Sequence, residues 1–171
     1  CQKDWIEIDT ESENEDFEIE KAEYVAIFGD IQYYTTSTYI NLYQHSVDWI
    51  VRQKYDGMNI KCVLHTGDIC HQTNALSCWN YFQGAMSVLS KEIPYYSMIG
   101  DHDYMWYDGI HIDGRNDTHF NEYVQFPLTA QNVIARFEAG HMENVVVKNV
   151  IQGERLDLLI LEFGPREEVV T

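Results

Sequence analysis

Three glycine-aspartate pairs, each directly after a short apolar run, constrain the fold of this chain more than any other feature. The pairs are Gly29-Asp30, Gly67-Asp68 and Gly100-Asp101, and the runs before them are Tyr24 to Phe28, Ile60 to Leu64 and Ile93 to Met98. A single glycine-aspartate pair indicates only a turn. Three pairs at the exits of predicted strands, separated by helix-sized intervals, indicate carboxylates gathered at one edge of a parallel sheet.

The segments between these runs have the spacing of amphipathic helices. Apolar residues recur at three- and four-residue intervals over residues 39–54 and again over residues 76–89. Alternating strands and helices predict a parallel α/β arrangement with right-handed crossovers and with the helices outside the sheet. With 171 residues, of which 45% are hydrophobic, the chain is long enough for one domain with a substantial core.

The pattern becomes irregular over residues 104–139, which are rich in aromatic side chains. Two interpretations stay open, since such a segment can be a substrate-contacting loop or an irregular stretch whose rings form local core. Residues 145–150 and 156–161 then predict two further strands, joined as a hairpin through residues 152–155. Residues 166–171, after a proline, predict the first turn of a helix.

The net charge of −17 argues against a nucleic-acid-binding surface. Nine carboxylates lie between Asp4 and Glu20, so we interpret residues 1–20 as an acidic tether and residues 21–171 as the folded domain. A frayed terminus would have the same composition. Cys1 before a polar tether is typical of a processed bacterial lipoprotein, which would lie at the cell envelope with a lipid on Cys1 as its membrane link. The alternative is an arbitrary start of the chain.

The other three cysteines give a weaker signal. Their odd number leaves at least one of them unpaired in an oxidising compartment, and their spacing fits no zinc finger. We expect Cys62, inside a predicted strand, to be a buried small hydrophobic residue. Cys70 and Cys78 could form a disulfide, although the sequence supports that pairing only weakly.

The carboxylates at the strand ends predict a cation site. Carboxylates held close together on rigid strands repel one another, and a divalent cation relieves that repulsion. The oxygen ligands on offer are those of Asp30, Gln32, Asp68 and Asp101. Oxygen ligands suit manganese, iron or magnesium better than structural zinc. His102 could protonate a leaving oxygen, with Asp103 fixing the tautomer of its ring.

The motifs Asp30-x-Gln32, Gly67-Asp68 and Gly-Asp-His-Asp at residues 100–103 resemble the calcineurin-like metallophosphoesterase family. The family pattern runs Asp-x-His, Gly-Asp and Gly-Asn-His-Asp or Glu at comparable spacing. The resemblance implies an α/β/β/α sandwich, of which this chain covers the N-terminal half or so and is truncated after the fifth strand.

The resemblance also implies a mechanism for hydrolysis of phosphate esters such as phosphorylated small molecules. Asp30 and Gln32 would bind the first of two divalent ions (manganese, iron, magnesium or zinc), Asp68 would bridge them, and Asp101 would bind the second. In such two-metal sites a bridging hydroxide attacks phosphorus, and His102 would donate the proton to the leaving group.

The chain departs from the family pattern in three ways. Gln32 replaces the usual histidine, Asp101 replaces the usual asparagine, and the later Gly-His-x-His ligands have no counterpart. We do not expect His111, His119 or His141 to replace those ligands, and we expect a chain cut short after Thr171. His65 and His71 flank Asp68 as spare ligands, and we expect His65, which lies in an apolar strand, to be a packed residue.

Two function classes therefore stay open from the sequence. The first is a metal-dependent phosphoesterase, and the second is a non-catalytic surface lipoprotein that keeps the fold without turnover. A nuclease of the same fold is disfavoured by the acidic composition.

Overall fold

The computed structural model describes residues 22–72, 75–104, 106–107, 110–111, 115–125 and 131–171. The acidic tether and Cys1 lie outside these residues. The described part is a mixed α/β fold in which one sheet is parallel and another is antiparallel. In these ranges, no helix combines the length and the apolar composition that crossing a membrane requires.

The parallel sheet places the ends of its three strands side by side. Strands β1 (Glu23–Phe28), β2 (Asn59–His65) and β3 (Tyr95–Ser97) are arranged in the order β1-β2-β3. Phe28 aligns with His65, and His65 aligns with Ser97, so all three strands end at one level. The predicted strands and their parallel pairing are confirmed, although β3 is shorter than the predicted span 93–98.

Two helices connect these strands, and their bounds agree with the predicted spans to within one residue. Helix α1 (Ile40–Tyr55) follows β1, and helix α2 (Leu76–Leu89) follows β2. The buried positions recur at three- and four-residue spacing and are Tyr43, Val47 and Ile50 in α1, with Trp79, Phe82 and Met86 in α2. These apolar faces form one core with the sheet, and each helix leaves its polar residues toward solvent.

Segment 104–139 is more regular than the sequence predicts. It contains helix α3 (Thr118–Tyr123) and two short paired strands, β4 (Trp106–Tyr107) and β5 (Ile110–His111). Phe120 is fully buried, and the ring of Tyr123 stacks on Trp79 at 5.8 Å between centroids. For these two rings the local-core interpretation is therefore confirmed. Elements this short show no periodicity, which is why the sequence did not predict them.

The antiparallel sheet follows and includes one strand that the sequence did not predict. Strand β6 (Val133–Arg136) pairs with β7 (Val145–Ile151), which forms the predicted hairpin with β8 (Glu154–Ile160). The hairpin turn is tighter than predicted, because Gln152 and Gly153 both adopt positive φ angles, of 51° and 79°. Helix α4 (Glu167–Val170) matches the predicted terminal helix.

A backbone hydrogen bond connects the segment after β8 to the loop that follows β3, and a buried carboxylate lies beside this bond. Phe163 donates its backbone N–H to the carbonyl of Ile99 at 3.1 Å. The neighbouring Glu162 lies within 2.9 Å of the Arg166 guanidinium and 3.6 Å of that of Arg115. Although burial acts to raise the pKa of Glu162, the bonds from Arg166 hold it below its usual range. The segment after β8 is thus fixed beside the loop that follows β3.

The cysteines behave as expected where the structure describes them. A disulfide joins Cys70, in the loop after β2, to Cys78, in the first turn of α2. Cys62 is a fully buried free thiol in β2, and burial raises its pKa to about 11. The disulfide therefore ties the loop that carries the second Gly-Asp pair to a core helix.

We predict that His65 makes stability depend on pH. Its side chain is buried, and Nδ1 accepts the N–H of Gly67 at 3.0 Å. Burial lowers the pKa of His65 to about 3, against a weaker opposing effect of Asp30. In the unfolded chain a histidine titrates near pH 6.5. Protonation therefore favours unfolding as the pH falls from about 6.5 towards 3, where the folded form also takes up a proton.

Urea unfolding at pH 7 and pH 4.5 checks this prediction with His65→Asn as the matched variant, since the Asn oxygen can still accept the Gly67 N–H. The natural chain should lose about 1.4 kcal/mol more per pH unit below about pH 6.5 than the variant does. Equal pH dependence in the two proteins would contradict it.

Candidate metal centre

The loops after the three parallel strands meet at the carboxyl edge of the sheet. Ile31 donates its backbone N–H to the carbonyl of Asp68 at 3.3 Å, which joins the first loop to the second. The backbone N–H of His102 donates to Asp68 Oδ1 at 3.2 Å, which joins the second loop to the third. Ligand atoms of Asp68, Asp101 and His102 all lie within 4.8 Å of one another. The predicted gathering of these side chains is thus present in the structure.

Two of the three glycines permit this approach. A Cβ at Gly67 would lie 2.5 Å from the backbone nitrogen of Gly100, and a Cβ at Gly100 would lie 2.0 Å from Asp68 Oδ1. Gly67 and Asp68 also have positive φ angles, of 94° and 53°, and an L-residue reaches these only with strain. Gly29 differs, because a Cβ there would meet no atom within 4 Å.

Gln32 connects the first two aspartates. Its side-chain Nε2 donates to Asp30 Oδ2 at 3.0 Å and to Asp68 Oδ2 at 3.3 Å, and its backbone N–H donates to Asp30 Oδ1 at 3.0 Å. The amide oxygen of Gln32 lies 2.7 Å from His71 Nδ1. Gln32 is buried despite its polarity, so these contacts satisfy its amide. Asp30 and Gln32 therefore belong to the same cluster as Asp68.

The electrostatics of the cluster favour a cation. Burial raises the pKa of Asp68, and the negative charges of Asp101 and Asp30 raise it further. In the described ranges, no lysine or arginine forms an ion pair with these three carboxylates. A donor set of carboxylate oxygens suits magnesium or manganese, and the nearby imidazole of His102 would suit a borderline metal. The residues present thus fit a divalent cation.

The ring of His102 is oriented by a backbone carbonyl. Its Nδ1 lies 3.3 Å from the carbonyl oxygen of His71, and the two imidazole rings are 5.1 Å apart. A carbonyl oxygen can only accept, so Nδ1 of His102 carries the hydrogen in this bond. In the doubly protonated imidazolium form the second proton lies on Nε2, which is then the ring nitrogen that can pass a proton to a substrate.

Asp103 does not have the predicted position beside the His102 ring. Its carboxylate is fully buried and accepts three backbone N–H groups, from Ile69 at 2.7 Å, Cys70 at 3.0 Å and Gly100 at 2.9 Å. Burial raises the pKa of Asp103 to about 7, although these N–H groups favour the ionised form. The physical reason is the short 3₁₀ turn over residues 101–103, which directs Asp103 into the protein and leaves His102 half-buried.

The histidines outside the motifs have different environments. His65 is packed in the core, as expected, whereas His71 contacts both Gln32 and the His102 ring. The position of His71 three residues after Asp68 was the only signal of this role. His119 packs its ring at 6.3 Å from Trp79, and the side chain of His111 lies outside the described residues.

His141 belongs to a second polar cluster, which shares no residue with the cluster of Asp30, Gln32, Asp68, Asp101 and His102. Its Nδ1 lies 3.0 Å from Glu143 and 3.2 Å from Asp117. Burial acts to lower the pKa of His141, but the two carboxylates raise it above its usual range. The imidazole of His141 thus lies among carboxylates, with Glu138 at 3.5 Å as a third, and this acidic surrounding favours its protonated form.

Two cavities adjoin the carboxylate cluster. The larger, of about 850 Å³, lies between β1 and α1, with Asp30 at one end and apolar side chains such as Ile27, Leu42 and Trp49 along its wall. The smaller, of about 250 Å³, has Gln32 and His71 in its wall and opens between the first loop and α2. The cluster thus lies between a mainly apolar space and a smaller one of mixed lining.

Comparison with known proteins adds little to this geometry. No family model matches the chain, and no solved structure matches it. Over 81 residues the chain is 38% identical to the uncharacterized protein YvnB of Bacillus subtilis (strain 168). The match covers 47% of this chain and 6% of YvnB, so it spans a small part of that protein's length. The structure itself defines a mixed α/β protein with a carboxylate cluster at the carboxyl edge of a parallel sheet.

We predict that Gly100→Ala disrupts the cluster and that Gly29→Ala does not. The new Cβ at position 100 would overlap Asp68 Oδ1, so the variant should lose about 1–3 kcal/mol of unfolding free energy. At position 29 the space is open, and the change should stay within about 0.5 kcal/mol. Urea unfolding measures the stabilities, and calorimetric titration with manganese measures binding. Equal behaviour of the two variants would contradict the close approach of the loops.

Proposed function

We propose that this chain is a metal-dependent phosphoesterase of the calcineurin-like type, acting on phosphate esters of small molecules. The observation that carries the proposal is the meeting of Asp30, Gln32, Asp68 and Asp101 at one sheet edge, with His102 beside them. The parallel sheet with its helices and the antiparallel sheet that follows are compatible with an α/β/β/α sandwich. The three motifs and their order support the same family.

The oxygen donors divide between two cation positions in this proposal. Asp30 would hold one cation, Asp101 would hold the other, and Asp68 would contact both. Gln32 would add its amide oxygen to the first position only with its amide turned over, since that oxygen now faces His71. Divalent ions bound there would activate a water molecule and neutralise charge on the phosphoryl group. Asp68 is suited to the shared position because its two carboxylate oxygens already face different loops, Oδ1 toward His102 and Oδ2 toward Gln32.

The protein's own groups then have distinct tasks. The His71 carbonyl holds the Nδ1–H of His102, so that Nε2 can deliver a proton to the leaving oxygen. Asp103 holds the loops after β2 and β3 in place, because its carboxylate accepts hydrogen bonds from their backbone N–H groups. Gln32 keeps Asp30 and Asp68 at a fixed separation. His102, Asp103 and Gln32 each depend on a hydrogen bond that crosses from one of the three loops to another.

A second candidate function is a non-catalytic protein with the same fold. The specific observation that favours it is the small donor set for the second cation, where Asp68 and Asp101 have no partner from a Gly-His-x-His motif anywhere in the sequence. Two carboxylates and water bind a cation weakly compared with a site of three or four protein ligands. Such a chain would bind one cation and would not turn over substrate.

Hydrolysis of 4-nitrophenyl phosphate with added manganese tests the proposal. Asp68→Asn and His102→Gln should each lower kcat/KM by about 10²-fold or more, since they remove a shared ligand and a proton donor. Asp56→Asn, an exposed aspartate after α1, is the matched control and should leave the rate unchanged. A natural chain no faster than its Asp68→Asn variant would favour the non-catalytic candidate.

Asp101→Asn should raise turnover rather than lower it. The extra negative charge of Asp101 holds a cation more strongly but reduces its power to acidify bound water. Steady-state kcat at saturating manganese, with metal occupancy verified by calorimetry, checks this expectation. An unchanged or lower kcat in the fully loaded variant would count against the electrostatic argument.

A further inference from the structure

The smaller cavity beside the carboxylate cluster has the position of a subsite for the rest of a substrate. It has a volume of about 250 Å³ and lies between the loop after β1 and the first turns of α2. Gln32 and His71, which are 2.7 Å apart, form the wall that it shares with the cluster. A ligand in this cavity would therefore lie next to the cluster, on the other side of the Gln32–His71 pair.

The lining of this cavity combines apolar surface with hydroxyl and amide groups and is almost uncharged. In the part of the chain that the structure describes, it contains no lysine, arginine or carboxylate side chain. Hydroxyl and amide groups are supplied instead by Thr36, Ser37, Gln72, Ser77 and Tyr81. The hydroxyl of Thr36 donates to the carbonyl of Tyr33, and its oxygen can still accept. The other four side chains have hydrogen-bonding capacity available for a ligand.

Exposed aromatic surface accompanies these polar groups. The Tyr33 ring packs against His71 at 4.8 Å between centroids, and Tyr33 remains 57% exposed. Tyr33 lies beside the cavity and not in its wall, whereas the phenol of Tyr81, from α2, is the tyrosine ring that lines it. A tyrosine ring offers an apolar face together with a hydroxyl at its edge. That combination can contact the C–H face of a sugar while neighbouring hydroxyls bind its oxygens.

We propose that this cavity binds a neutral, hydroxyl-bearing alcohol portion of the substrate, either a single sugar ring or a short polyol. The proposal rests on the phosphoesterase function above and specifies its substrate class. A second phosphate or an acidic peptide would require lysine or arginine side chains, which recognise such anions. The volume is below the 300 Å³ or so of typical sites for drug-sized ligands, which favours one ring over a nucleoside.

Steady-state kinetics with manganese on four substrates tests this selectivity. The substrates are glucose 1-phosphate, 4-nitrophenyl phosphate, ADP and a phosphoserine peptide. We expect the highest kcat/KM among the natural esters for glucose 1-phosphate. Ser77→Ala with Tyr81→Phe should lower that value about three- to tenfold per lost hydrogen bond, mainly through KM, and should leave 4-nitrophenyl phosphate unaffected. Ser87→Ala, on the exposed side of the same helix, is the matched control.

Binding of glucose 1-phosphate gives a second readout that does not require turnover. Backbone amide shifts in NMR should change at residues 36–37, 71–72 and 77–81, and the changes should weaken in the double variant. Changes confined to other residues, or none at all, would overturn the subsite. Turnover of 4-nitrophenyl phosphate with a preference for ADP or the peptide would also overturn it and would leave the phosphoesterase function standing. Loss of turnover with localised shifts would overturn the function and retain the subsite.

Discussion

The carboxylate cluster depends on one backbone contact, the close approach of the loops after β2 and β3 at Gly67 and Gly100. Because neither residue has a side chain, the peptide of one loop lies directly against the other. Asp68 then reaches the backbone N–H of His102, and the strand ends of a parallel sheet bring the first loop to the same level. Positive φ angles at residues 67 and 68 are the conformational cost of this arrangement.

The loop after β2 is held in this strained conformation from three directions. Asp103 binds the N–H groups of Ile69 and Cys70, the disulfide attaches Cys70 to α2, and the hydroxyl of Thr35 donates to the carbonyl of Ile69 at 2.7 Å. A buried carboxylate is unfavourable unless its hydrogen bonds are satisfied, and here three backbone donors satisfy it. The result is a fixed position for the His71 carbonyl, which in turn orients His102.

The sequence predicted the parallel half of this fold well, because apolar periodicity over 14 to 16 residues identifies α1 and α2 and the Gly-Asp pairs mark the strand ends. It missed β6 and α3, which are only four and six residues long and are too short for periodicity to register. The role of Asp103 was also missed, since neighbours in sequence, here His102 and Asp103, point in different directions in a 3₁₀ turn. Gly29 shares its motif with the other glycines, but only the structure distinguishes its open surroundings.

The distribution of basic residues bears on both the proposed cation site and the cavity beside it. The chain has 11 lysines and arginines, and several of them pair with acids away from the cluster, as Arg166 does with Glu162 and Lys61 does with Glu23. Around Asp30, Asp68 and Asp101 the described ranges contain no such pair, so hydrogen bonds such as those from Gln32 and from the His102 N–H are what offset their repulsion. In the proposed function, a cation from solution would neutralise these carboxylates. The described wall of the adjoining cavity has no basic side chain either. That cation would therefore also supply the positive charge that the phosphoryl group requires. Hydroxyl and amide groups of the cavity would contact the rest of the substrate.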